Sequence, residues 1–78
     1  MSKQLGTVRH RRLMSALVDV RTKVGITQRE LAKRLGRAHS YVSRIEKGDR
    51  RLDVPEFIQW CELLGTDPLE VMRRILRR

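Results

Sequence analysis

Apolar residues recur along this chain at helical spacing, in five stretches separated by turn signals. Leu13, Leu17, Val20 and Val24 step by four, three and four, which places them on one face of a first helix. Met14 and Val18 broaden that stripe, and Arg9, Arg11, Arg12, Arg21 and Lys23 fall mainly elsewhere. Thr7 stands at its N-cap and Gly25 at its stop. Residues 1–6 lack any such period and read as a flexible tail ahead of a single domain over 7–78.

A second helix opens at Thr27 with a capping box. The Thr27 hydroxyl is positioned to take the Glu30 N–H, and the Glu30 carboxylate to return to the N–H of Thr27. Leu31, Ala32 and Leu35 point inward, and Gly36 ends the helix. The third helix is expected from about His39 to Lys47, with Val42 and Ile45 inward and Gly48 closing it. Ala38 occupies its N-cap position, and alanine caps poorly, so this helix must depend on packing.

After the charged turn Asp49-Arg50-Arg51, Asp53 opens a fourth helix with a box to Glu56 and Pro55 in the first turn. Phe57, Ile58, Cys61 and Leu64 form its inward stripe, and Gly65 stops it. Asp67, Pro68 and Glu70 repeat the start signal for a fifth helix. Leu69, Met72, Ile75 and Leu76 line one side of it, and Arg73, Arg74, Arg77 and Arg78 suit the negative end of its dipole. The expected fold is all-α: a compact five-helix bundle with no strands and no internal repeat.

Composition narrows the chemistry. Aromatics are 4% of the 78 residues, so the core must be built from aliphatic side chains. A single cysteine excludes an internal disulfide and reads as a small core residue. The two histidines, His10 and His39, lie far apart, and no spacing resembles a zinc site. No nucleophile–base pair or Gly-rich phosphate loop is present, so no catalytic residue, metal or cofactor is expected. No apolar run reaches the ~20 residues that span a bilayer. The short capped helices do not fit a membrane surface either, and the expected location is the cytoplasm.

Charge adds direction. The net charge is +9, but residues 1–51 carry 14 Lys/Arg against four acids, whereas residues 52–78 carry four Arg against five acids. A basic lobe joined to an acidic one points to an anionic partner on one side, with nucleic acid the first candidate.

Ala32, Gly36, Val42 and Ile45 stand at the spacings where a helix-turn-helix needs a small residue, a turn glycine and two core aliphatics. With Gln28 opening the second helix and Glu46 late in the third, the segment 27–48 resembles the Cro/phage-repressor class, also called XRE-like. The resemblance covers roughly residues 12–70. It implies a lambda-repressor-like five-helix domain that binds palindromic double-stranded operator DNA as a symmetric homodimer, repressing transcription or recruiting polymerase.

The resemblance also implies roles. The third helix would lie in the major groove, with His39, Ser40, Ser43 and Arg44 at base edges. Arg44 has the geometry for a bidentate contact with guanine. Thr27 and Gln28, at the start of the second helix, and Arg37, Tyr41, Lys47, Arg50 and Arg51 would meet the backbone. Tyr41 has the alternative of packing on the second helix. An Arg21–Glu46 pair would clamp the first helix to the third. Trp60, Leu69, Met72, Ile75 and Leu76 are divided between core and a dimer surface built from helices 53–78. A competing reading is a protein-binding helix-turn-helix module, such as an anti-activator or the antitoxin of a pair.

Overall fold

The computed structural model describes residues 7–77, so the expected tail over 1–6 and Arg78 lie outside the described residues. Five helices follow in order: α1 (Val8–Val24), α2 (Gln28–Leu35), α3 (Ser40–Glu46), α4 (Val54–Leu64) and α5 (Pro68–Leu76). No strand occurs among the described residues. The start signals act as expected at four of the five helices. Thr7 accepts from the His10 N–H, Thr27 from Glu30, Asp53 from Glu56 and Asp67 from Leu69.

Only Asp53–Glu56 closes a reciprocal box. The Glu30 carboxylate turns instead to Arg34, one turn on, at 2.9 Å. Helix α3 begins one residue later than expected, with His39 at the N-cap in helical conformation and making no side-chain cap bond. Its far end is closed by the Asp49 N–H to the Arg44 carbonyl and the Gly48 N–H to Ile45. Packing must therefore hold its start, and Val42 and Ile45 are fully buried.

The core is a single cluster to which every helix contributes. Leu17 of α1, Leu31 of α2, Val42 and Ile45 of α3, Trp60 and Cys61 of α4 and Val71 of α5 are buried at 1% exposure or less. Helix α1 packs on α5, α3 and α4, most extensively on α5, and α2 rests on both α3 and α4.

Several inward assignments change. Val24, the last residue of α1, is about half exposed, and Ile26, beyond the Gly25 turn, fills the core instead. Ala16 is buried as well. On α4 the buried face is Phe57, Trp60, Cys61 and Leu64, and Ile58 looks outward. On α5 the core face is Val71 and Ile75, and the broader apolar side of Leu69, Met72 and Leu76 is exposed.

Candidate nucleic-acid interface

The α2–α3 pair is set by a tight turn and a small contact residue. Gly36 sits at φ 69°, a left-handed conformation, and its N–H caps the Ala32 and Lys33 carbonyls. A Cβ at this position would meet nothing within 4 Å, so the requirement is conformational rather than spatial. Ala32 is 1% exposed, as the small residue expected on the buried side of α2.

Helix α3 then divides cleanly. Tyr41, Val42 and Ile45 are turned into the core. Helical geometry puts Ser40, Ser43, Arg44 and Lys47 within an arc of about 100° on the other side. Ser40, Arg44 and Lys47 are exposed and Ser43 is partly buried. An open cavity of about 460 Å³ lies beside this face, lined by Arg21, Thr27, Gln28, Arg29, His39, Ser40 and Ser43. Thus the Thr27–Gln28 start of α2 and the first half of α3 border one concave surface.

Glu46 would place a negative charge on this basic element, and its partners neutralise it. Arg21 donates from Nε to Oε2 at 2.7 Å and from Nη2 to Oε1 at 3.0 Å. Its Nη1 also donates to the Ile26 carbonyl at 2.8 Å. Gln28 Nε2 donates to the same Oε1 at 2.7 Å. The Glu46 side chain is 6% exposed and that of Arg21 is 11% exposed, so the pair is largely withdrawn from water. One carboxylate thereby ties α1, α2 and α3 together.

A second network lies at the other end of the α2–α3 unit. Arg37 and Arg50 both reach the Glu56 carboxylate, at 3.1 Å and 3.3 Å. Both guanidiniums also stand over the Tyr41 ring, 4.6 and 4.9 Å from its centroid. Tyr41 itself is 8% exposed and packs obliquely on Trp60. It is a core residue under two arginines, which is the packing alternative, against α4 rather than α2 alone. Burial pushes the Tyr41 phenol above its ordinary pKa, with the neighbouring Glu56 charge adding to the shift. Burial also acts to raise the Glu56 carboxyl. The Asp53 N–H and the Arg50 guanidinium outweigh it and hold the group below the usual carboxylate range.

The remaining expected contact residues are placed as follows. Arg44, Lys47 and Arg51 are exposed and form no ion pair among the described residues. Of the five residues divided between core and dimer surface, Trp60 at 0% and Ile75 at 8% exposure are core, which removes them from an association surface. Leu69, Met72 and Leu76 remain outside at 62, 43 and 57%.

Two neighbours of the site do not stand out in the sequence. Arg29 follows Gln28 on α2, and its Nη2 lies 3.3 Å from His39 Nε2. Its place in the first turn beside Gln28 is the available signal. The sequence pattern assigns Glu56 only to a capping box, which it does form while also holding two arginines. No group of His, Cys, Asp and Glu suited to a metal occurs among the described residues, and no described helix is long and apolar enough to cross a membrane.

Comparison with known proteins adds independent weight. The helix-turn-helix family HTH_3 matches residues 17–71. Among solved structures, the chain is similar to an XRE-family like protein from Pseudomonas syringae pv. tomato str. DC3000. The two are 44% identical, with 94% of this chain and 89% of that one covered, at a TM-score of 0.85. The comparison with curated proteins gave no match.

Proposed function

The chain belongs to the helix-turn-helix family HTH_3, whose members are DNA-binding regulators, and we propose that it reads a specific, twofold-symmetric operator as a homodimer. In this reading α3 enters the major groove. His39, held beside Arg29, and Ser40, Ser43 and Arg44 meet base edges. The start of α2, with Thr27 and Gln28, meets a phosphate at the rim of the same cavity. Lys47 and Arg51 contact the backbone directly. Arg37 and Arg50 do so from the Glu56 bracket, where two positive charges share one negative one.

The observation that carries the proposal is the Arg21–Glu46–Gln28 network. It removes the one acid of α3 from the surface and fixes α3 against both of its neighbours. The face left to solvent is polar, basic and rigidly presented. Preorganisation of that kind favours a reading element over a solvated helix. The exposed Leu69, Met72 and Leu76 stripe is the proposed dimer surface. It is an apolar face on α5, a helix outside the α2–α3 unit.

Selection of binding sites from random duplexes, followed by titration at several salt concentrations, tests the reading. The expected site is an inverted repeat with half-site centres about 34 Å apart, and log K should fall steeply with log salt. Retention of every sequence alike, with a flat salt response, would overturn it.

A further inference from the structure

A second basic surface lies away from the α2–α3 face, where the end of α5 meets the first half of α1. Arg12, Ser15 and Ala16 of α1 and Arg74 and Arg77 of α5 line an open cavity of about 310 Å³. It shares no lining residue with the cavity beside α3. Arg12 and Arg21 are nine residues apart on α1, or about two and a half turns, so they leave the helix on opposite sides.

Three guanidiniums around one small cavity repel one another unless something compensates, and the protein compensates only in part. Arg12 Nη1 donates to the Arg77 carbonyl at 2.7 Å and to the Ile75 carbonyl at 3.3 Å, closing the end of α5. Those acceptors are neutral, and both bonds use one nitrogen of a group that carries five N–H donors. Arg74 Nη2 lies 3.3 Å from Asp19 Oδ2, but the same oxygen is 3.3 Å from Lys23 Nζ. Arg77 forms no ion pair among the described residues. The end of the α5 dipole favours some positive charge. It does not require that a cavity beside it be lined by three arginines, one of them borrowed from α1.

We propose that this cavity is a phosphate-binding site, separate from the reading face, in which Arg12, Arg74 and Arg77 hold phosphoryl oxygens and Ser15 adds a hydroxyl donor. Planar guanidiniums match phosphate oxygens two at a time, which suits them to a dianionic or trianionic group. The volume stands near the lower end of the range for small-molecule sites, about 300 Å³, so the ligand is compact. A free diphosphate group and a backbone phosphate of duplex DNA running past the domain share this chemistry.

Backbone amide NMR of the full chain, at constant ionic strength, tests the site with two probes. Inorganic pyrophosphate is one and a short duplex of arbitrary sequence is the other. The expected result is saturable shifts at the amides of residues 12–16 and 74–77, distinct from any shifts at residues 27–43. An Arg74→Gln, Arg77→Gln double variant keeps the Arg12 cap of α5 and should retain its helical circular dichroism. Its affinity for the probe at this site should fall at least about tenfold, because two charge-assisted hydrogen bonds are removed. Saturation by pyrophosphate identifies a free ligand, and saturation by the duplex alone identifies the DNA backbone; both uphold a phosphate site. No saturation at these amides with either probe, or equal saturation in the double variant, overturns it. The pyrophosphate arm is read without any DNA, so its outcome is independent of operator binding at α3.

Discussion

Arg21 and Glu46 form a two-pronged ion pair across the α1–α3 contact, at 2.7 and 3.0 Å, with both side chains almost wholly withdrawn from solvent. Twenty-five residues separate them in the chain, so the pair is a tertiary clamp rather than a helix-face contact. Removing one partner leaves the other buried without its counter-charge, the situation in which ion pairs matter most. Glu46→Ala also strands the Gln28 amide. The expected loss is about 3–5 kcal/mol of folding stability. Chemical denaturation measures it, and an unchanged midpoint would remove the clamp from the account.

Contacts to bases and contacts to phosphates separate in the salt dependence of binding. Arg44→Ala should weaken binding to the selected site by about 1–3 kcal/mol and relax the preference at one base pair of each half-site. Lys47→Ala should weaken all sequences alike and reduce the salt slope by about one per half-site, because one phosphate in each is no longer neutralised. Titrations of both variants against the preferred duplex and single-base substitutions distinguish them. Equal behaviour of the two variants would contradict the division of roles along α3.

The acid limb of stability should pass through Glu56. Its carboxyl titrates below the ordinary value in the folded protein, despite partial burial, because the Asp53 N–H and Arg50 hold its charged form. A depressed folded-state pKa contributes stability that is fully present above the unfolded value, near pH 4.5, and is lost as the pH falls through the folded value. Glu56→Gln should therefore flatten the decline in melting temperature below about pH 4.5 while lowering stability at neutral pH. An acid limb that the substitution leaves unaltered would assign the effect to other carboxylates.

Much of this fold was legible because the helix boundaries are written in short-range chemistry. Thr27 and Asp53 accept the N–H three residues on and Asp67 the one two residues on, as such starts require, and Gly36 takes the left-handed turn. The Arg21–Glu46 clamp was legible only through family resemblance, since nothing local joins residues so far apart. What periodicity could not settle was which part of a broad apolar surface is covered. On α5, Leu69, Val71, Met72, Ile75 and Leu76 occupy more than one face, and only the packing of α1 and α4 against it selects Val71 and Ile75. The Arg37–Glu56–Arg50 bracket over Tyr41 was hidden for a similar reason. Its members come from the turn after α2, the start of α3, the turn beyond and α4, and no sequence period relates them.

Cys61 offers a probe of opening that leaves the surface untouched. The thiol is fully buried, and burial, with Asp67 and Glu62 nearby, pushes its pKa up to about 11. Thiolate is the reactive form, so native protein at pH 8 should resist a disulfide reagent while unfolded chain reacts at once. The observed rate should rise in step with denaturant as the core opens. Rapid modification of the native protein would show that α4 opens locally far more often than its neighbours.

The exposed stripe of α5 makes the last prediction, and the core face of the same helix supplies its control. Leu69, Met72 and Leu76 are 62, 43 and 57% exposed, whereas Val71 is 1% exposed. If two copies meet through this stripe, each leucine buried on association contributes about 1.5–3 kcal/mol, and twofold symmetry counts every contact twice. Leu69→Ser and Leu76→Ser should then weaken the dimer more than about 100-fold in sedimentation or light scattering while the melting temperature of the monomer stays nearly constant. Val71→Ala should do the reverse, lowering the melting temperature through a core cavity and leaving the association constant of the folded protein intact. Binding to a single half-site should survive the stripe substitutions, whereas affinity for the full inverted repeat should fall to that of independent monomers. A dimer that persists in both serine variants would move the interface off α5.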